Sequence, residues 1–308
     1  MVMTFTINKP GSLNLTIYLL VVLCLSIAAF KRNMVWMYDV GLWEDAVRKA
    51  PDNARPHTNL GVAYAKAGRL DEAVQEYRVA LTKKGPHVVI YFNLGAAYVE
   101  KGQLFNAAWE YMTALRIKPD YFEVSNNLGD VYYKMGRLED AILQYKGALK
   151  FNPDYFMAHN NLGNAYYAQG RVEEAVKEYK IALNLNPDFE GIYVNLGVFY
   201  KDYGRLDEAL EAYKKALSLN PDNLEAYYGL GNVYYIRGQM DGAVEAYKTA
   251  LKINPEHAGV HNNLGVAYEA QGRLDDAVRE YKNALRLKPD FTDAQRNLEQ
   301  AYNKGKSK

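Results

Sequence analysis

Residues 156–189 read FMAHNNLGNAYYAQGRVEEAVKEYKIALNLNPDF, and this stretch decides the fold. Leu162, Ala165 and Tyr166 recur at the spacing of one face of an α-helix. Gln169-Gly170 ends that helix, because glycine takes the positive φ a helix terminus needs. The acidic pair Glu173-Glu174 follows, and carboxylates suit the positive end of a helix dipole. Ala175, Tyr179, Ala182 and Leu183 then share a face of a second helix. Asn186-Pro187-Asp188 closes it, since a residue before proline is pushed out of helical conformation. The stretch predicts two helices joined by a tight turn. Small residues at Gly163 and Ala175 allow close approach, and tyrosines fill the space between.

The pattern recurs every 34 residues along most of the chain without an insertion. Asn-Leu-Gly begins at Asn59, Asn93, Asn127, Asn161, Asn195 and Asn263, and the two other slots read Gly229-Leu230-Gly231 and Asn297-Leu298-Glu299. Three residues after the glycine slot stand Tyr64, Tyr98, Tyr132, Tyr166, Tyr200, Tyr234, Tyr268 and Tyr302. A second series comprises Tyr77, Tyr111, Tyr145, Tyr179, Tyr213, Tyr247 and Tyr281. The two series hold 15 of the 27 tyrosines, so the aromatic excess belongs to repeat packing and not to a site. One unit cannot bury both apolar faces; stacked units can.

The order Leu-Gly-x-x-Tyr, Gly, Ala, Tyr, Ala and Pro strongly resembles the tetratricopeptide repeat. The resemblance implies an all-α, right-handed superhelical solenoid, with seven full helix-turn-helix repeats over residues 54–291. A capping helix and a polar tail follow over residues 292–308, with Gln295, Arg296, Glu299, Gln300 and Asn303 as polar positions. Two local departures stand out. Gly85-Pro86 shifts the proline of the first unit by one place, and Glu299 replaces the glycine of the eighth.

The N-terminal residues are a different material. A tail of residues 1–12 precedes an uncharged apolar run, residues 13–30, broken only by Asn14, Thr16 and Ser26. As a helix the run spans roughly 27 Å, close to the thickness of a bilayer's hydrocarbon core. Lys31 and Arg32 close it, and Trp36 and Tyr38 follow where interfacial aromatics are expected. It reads as a retained single-pass membrane helix. Two alternatives stay open: a cleaved signal peptide, given Lys9 and the small-x-small site Ser26-Ile27-Ala28, and an apolar helix buried against another copy. Cys24, the only cysteine, sits inside the run as an apolar filler; one cysteine excludes an intramolecular disulfide and multi-cysteine metal sites.

Residues 31–53 form a junction and N-terminal cap. Lys31-Arg32-Asn33 and Trp36, then Leu42-Trp43, Asp45, Val47, Lys49, Pro51 and Arg55, resemble the joint between the last membrane helix and the repeats of O-mannosyltransferase-like membrane proteins. That resemblance implies repeats facing away from the cytoplasm and carries no activity across. The flanking charges, taken alone, weakly favour the opposite side.

Candidate chemistry is sparse. A hydrophobic fraction of 49% with 24% charged residues fits a chain with a real core and excludes wholesale disorder. The formal charge of +1 recruits no nucleic acid. No phosphate loop, dinucleotide fingerprint or nucleophile elbow is present. His57, His159 and His261 share a slot with Tyr91, Tyr193 and Tyr227 and read as packing or surface residues. His257 and His261 are four apart, but the Asn254-Pro255 turn puts His257 at or before a helix start, which argues against a metal pair. Acidic pairs such as Asp71-Glu72 and Glu139-Asp140 read as solvated helix-start charges. Neither enzyme activity, metal nor cofactor is expected.

The one candidate surface is the repeated asparagine: Asn59, Asn93, Asn127, Asn161, Asn195, Asn263 and Asn297, beside the core leucine of each first helix. It is similar to the asparagine ladder of the O-linked N-acetylglucosamine transferase repeats, whose amides hold an extended peptide backbone. An amide both donates and accepts, which suits successive peptide groups of any sequence. The rival reading is a residue that bonds the adjacent helix. The expected function is a membrane-tethered scaffold for protein–protein interaction, with its groove open to an extended segment or a partner protein. Self-association end to end into a filament or sheath, and an accessory or split-off part of a membrane glycosyltransferase, are the alternatives.

Overall fold

The computed structural model describes residues 39–83 and 87–306. The apolar run, Cys24, residues 31–38 of the junction and the Gly85-Pro86 departure lie outside the described residues. Among the described residues there are sixteen α-helices and no strand. They fall into two compact units, Met1–Arg137 and Leu138–Lys308. The first unit holds α1 (Asp39–Lys49), α2 (Ala54–Lys66), α3 (Leu70–Leu81), α4 (Val88–Glu100), α5 (Leu104–Ile117) and α6 (Phe122–Lys134). The second begins with α7 (Leu138–Phe151), α8 (Phe156–Ala168), α9 (Val172–Leu185), α10 (Glu190–Asp202) and α11 (Leu206–Leu219). It ends with α12 (Leu224–Ile236), α13 (Met240–Ile253), α14 (Ala258–Ala270), α15 (Leu274–Leu287) and α16 (Thr292–Lys306).

In the first unit α2 pairs with α3 and α4 with α5; α1 lies on α2, and α6 on α5. In the second, α8/α9, α10/α11, α12/α13 and α14/α15 are the hairpins, with α7 packed on α8 and α16 on α15. First helices of successive hairpins also touch: α2 with α4, and α8, α10, α12, α14 and α16 in series. The first helices of each unit therefore share a face, and that is where the asparagine slots lie.

The hairpin α8/α9 shows why the sequence folds this way. Gly170 holds φ at 74°, so the chain reverses without the Cβ penalty of a left-handed residue. Its N–H donates to the Tyr167 carbonyl, and that of Arg171 to the Tyr166 carbonyl, each at 2.9 Å. Carbonyls orphaned by the helix end are thereby satisfied. The Arg171 guanidinium then stacks 4.2 Å above the Tyr166 ring while its Nε donates to Glu174. Arg69 on Tyr64, Arg205 on Tyr200 and Arg273 on Tyr268 repeat the stack at 4.2–4.6 Å. Between the helices the Tyr179 ring lies where a Cβ on Gly163 would come within 2.7 Å of its Cε1. Ala175 and Ala182 are wholly buried beside it. Glycine and alanine let the backbones close around one tyrosine per hairpin.

Helix starts differ from the sequence expectation in one respect: one acidic residue of each starting pair often reaches the next hairpin. Asp71 pairs with Lys101, and Asp207 with Arg237. Glu139 accepts from Gln169 at 2.9 Å and Asp241 from Gln271 at 2.6 Å. At the C-terminal end α16 buries Ala294 and Ala301 and leaves Gln295, Arg296, Glu299, Gln300 and Asn303 exposed, as a cap requires.

Candidate functional site

Asn59 on α2, Asn93 on α4, Asn127 on α6, Asn161 on α8, Asn195 on α10, Asn263 on α14 and Asn297 on α16 are all half-buried. Each precedes a leucine, and all of these but Leu298 are buried. In the second unit the amides are wired along the chain. Nδ2 of Asn195 donates to Oδ1 of Asn160 at 2.8 Å, and Nδ2 of Asn297 to Oδ1 of Asn262 at 3.0 Å. Nδ2 of Asn263 is shared between the Tyr228 hydroxyl and Oδ1 of Asn232, both at 3.0 Å. Within a helix, Asn160 donates to Asn161 at 3.3 Å and Asn262 to Asn263 at 3.1 Å. An amide has two N–H groups and two lone pairs, so these bonds fix its orientation without exhausting it.

The core tyrosines reach the same row. Asn127 hydrogen-bonds the Tyr111 hydroxyl; burial pushes that hydroxyl's pKa up to about 12, with the amide bond opposing the rise. Tyr247 is raised further for the same reason and donates to Asn232 at 2.7 Å; Tyr179 donates to Asn164 at 2.7 Å. At the slot without an asparagine, Gly229, the Tyr213 ring moves in: a Cβ there would stand 2.3 Å from its Cζ. The Tyr213 hydroxyl is buried with no partner. Next to this break, Lys201, Asn232, Tyr235, Ile236, Tyr247, Asn263 and Val266 line a hollow of about 290 Å³.

Sequence reading missed the second amide of the row. Asn126, Asn160 and Asn262 are buried, and Asn160 and Asn262 accept from the amide on the next first helix, 35 residues on. The signal was present as the doublets Asn126-Asn127, Asn160-Asn161 and Asn262-Asn263.

The histidines occupy defined positions. His57, His159 and His261 are buried, each with Nε2 on the carbonyl of a turn proline, Pro51, Pro153 or Pro255, at 2.9–3.0 Å. Their Nδ1 atoms face Glu76, Glu178 and Glu280 at 2.6–2.7 Å. Both ring nitrogens of each imidazole thus meet an oxygen, one of a carboxylate and one of a carbonyl. Burial alone would lower the pKa of His159 and His261, but the Glu178 or Glu280 carboxylate and the proline carbonyl outweigh it and raise it. The Tyr193 hydroxyl and the Gln295 amide reach the same carbonyl in their units, at 3.1 and 2.8 Å. His257 caps α14, its Nδ1 accepting from the Val260 N–H at 3.1 Å. No group of three or more metal-ligating side chains occurs among the described residues. No helix of the described residues is long and apolar enough to cross a membrane, and residues 13–30 are not among them.

Residues 121–307 match the family model described as the C-terminal domain of cilia and flagella-associated protein 70. Residues 40–89 and 95–136 match two tetratricopeptide repeat models. No curated protein matches the chain. Among solved structures, a tetratricopeptide repeat protein from Parabacteroides merdae is 19% identical at a TM-score of 0.65, over 84% of this chain and 98% of that one. A chain of the APC/C hetero-tetramer Cut9-Hcn1 is 16% identical at a TM-score of 0.68, over 85% of this chain; the match spans about half, 52%, of that longer chain. Yeast Tom70 is 14% identical at 0.66, over 85% of this chain and 57% of its own. At such identities the structures speak for the fold, and the family models carry the assignment: the chain belongs to the tetratricopeptide repeat family.

Proposed function

We propose that the chain is a membrane-tethered tetratricopeptide scaffold. Its first-helix face holds an extended peptide segment or a partner protein, and it acts by binding rather than by catalysis. The observation that carries this reading is the set of half-buried amides on the first-helix face of each unit; in the second unit Asn195, Asn263 and Asn297 are oriented by bonds to neighbouring helices and keep hydrogen-bonding capacity. Pre-oriented amides lose little freedom on meeting a peptide backbone. The apolar run of residues 13–30 serves as the anchor, and the repeats stand outside the cytoplasm.

The test replaces Asn127, Asn161 and Asn195 together by Ala and measures binding to an array of extended peptides of varied sequence, with thermal melting recorded alongside. Alanine keeps the helices, and each lost amide bond is worth about 0.5–1.5 kcal/mol. Binding lost with melting little changed supports the groove. Retained binding rejects the amide row, and lost folding returns these residues to helix bracing. Carbonate washing of membranes tests the anchor, which fails if the intact chain is recovered as soluble. Repeats protected from protease in intact cells until the inner membrane is lysed would reject the extracytoplasmic placement.

A further inference from the structure

One second helix departs from all the others. In the slot after the turn where α3, α7, α9, α11, α13 and α15 begin Asp71, Glu139, Glu173, Asp207, Asp241 and Asp275, α5 carries Phe105. Seven residues on, where the others place Arg78, Lys146, Lys180, Lys214, Lys248 and Lys282, α5 carries Met112. Between them stands Trp109, at a position held in the other hairpins by Gln75, Leu143, Lys177, Glu211, Glu245 and Arg279. Phe105, Trp109 and Met112 are i, i+4 and i+7 of one helix, so they share a face. Phe105 is 79% exposed and Trp109 62% exposed, with Met112 also exposed.

Large aromatics left this open to water on a soluble face need a partner. An aromatic side chain contributes about 150–250 Å² when buried, so two of them fall well short of the roughly 800 Å² per partner of a stable protein interface. Phe105 borders an open hollow of about 560 Å³ with Leu104 and Met135, while Trp109 and Met112 lie outside that lining. Trp and Phe standing out beside a cation are what a lipid headgroup region accepts. The Arg116 guanidinium lies 5.9 Å from the Trp109 ring, and Ile117 continues the exposed apolar surface. The acidic start that would repel an anionic surface is replaced here by Phe105 and Asn106. The helix's only carboxylate, Glu110, is half-buried, and burial raises its pKa against the opposing pull of Arg78.

We propose that the Phe105–Trp109–Met112 face of α5 seats in the headgroup layer of a bilayer, giving the first unit a second, peripheral membrane contact. The proposal rests on the tethering reading for its setting: residues 31–38 link the apolar run to α1, and eight residues reach at most about 29 Å. The face binds by apolar insertion with anionic lipid as a secondary aid, so it requires no particular headgroup.

The test uses the full chain with Trp36→Phe and Trp43→Phe, which leaves Trp109 as the single tryptophan. It is reconstituted into phosphatidylcholine vesicles with or without phosphatidylserine. Trp109 should be blue-shifted, quenched by lipid brominated near the headgroup, and shielded from iodide relative to a solvent-exposed tryptophan. The comparison is Trp109→Phe with Glu211→Trp, which puts the ring in the same slot of α11, where it should stay open to iodide. Adding Phe105→Glu should restore iodide access at Trp109 while the chain still floats with the vesicles, separating this contact from the anchor. Trp109 open to iodide in a floating chain overturns the proposal and leaves the tether standing. Shielding from iodide without bromolipid quenching overturns it in favour of a protein contact. If the chain does not float, the tether fails, and the face stands only if added vesicles still quench Trp109.

Discussion

Gly163→Ala adds one methyl group where the structure leaves no room. The new Cβ would lie 2.7 Å from Cε1, 2.8 Å from Cδ1 and 3.2 Å from Cζ of Tyr179, against an ordinary contact of 3.4 Å or more. That ring is 1% exposed, and its hydroxyl is held by Asn164, so it cannot swing aside at little cost. Overpacking of this kind costs about 1–3 kcal/mol. Alanine also favours a helix interior over glycine by about 0.8–1.0 kcal/mol, which hides part of the effect. Gly147→Ala supplies the correction: Gly147 is inside α7, in the same compact unit, and a Cβ there meets nothing within 4 Å. It should stabilise by roughly the propensity gain alone. The two variants should therefore differ by about 1–3 kcal/mol, or roughly 2–12 °C in melting midpoint for a unit of this size. Paired thermal and urea melts of both variants and the parent read this directly, and midpoints are the quantity to compare because repeat arrays depart from two-state behaviour. If both alanines raised the midpoint equally, the close approach of α8 to the tyrosine of α9 would be wrong.

Ala175→Leu should cost about 1–3 kcal/mol, because Ala175 is fully buried at the same helix contact; a parental melting curve would remove it from that contact. Gly170→Ala should lose about 1–2 kcal/mol from forcing φ near 74° on a residue with a Cβ, and urea midpoints check it. The raised pKa of His159 and His261 makes their contribution fully present below the free imidazole value near 6.5 and lost as pH rises through the higher folded value. Glu280 works in the other direction: burial would raise it, but His261 and Asn283 lower it, so its contribution is lost as pH falls through the depressed value. A pH series of melting midpoints should lose its alkaline decline in a His159→Gln, His261→Gln double variant, and an unchanged profile would refute the raised values of these two imidazoles.

The hairpins were legible because their causes are local. Turn glycines, acidic helix starts and alanine–tyrosine spacing fix φ, dipole and volume within a few residues, and Gly170, Ala175 and Tyr179 stand as the spacing implied. Bonds between hairpins were not legible, because they pair residues far apart in the chain whose polar types fit many partners. The slot shared by His57, Tyr193, His261 and Gln295 reads as unrelated residues until its common acceptor, the turn-proline carbonyl, is seen. The amide row was visible as a repeat, but not its wiring through Asn160, Asn232 and Asn262, which decides how the amides are aimed. Phe105 and Trp109 stand in the sequence as departures from slots that are charged or polar in most other units, and only their exposure sets them apart from core aromatics.

The ties between hairpins have fixed reach: Lys101–Asp71, Gln169–Glu139, Arg237–Asp207 and Gln271–Asp241 each span 30 residues. Asn195–Asn160, Asn263–Tyr228 and Asn297–Asn262 each span 35. Such a chain tolerates inheritance in whole modules and resists it in fractions. Duplication or loss of a complete repeat brings donor and acceptor slots back into phase, so an array of this kind can lengthen or shorten between generations with its bonding intact. A single-residue insertion inside a repeat shifts every later slot of that module against its neighbour, and the bonds on both sides of it fail together. The uniform length of the units is then a requirement of the bonding itself, separately from any residue they contain.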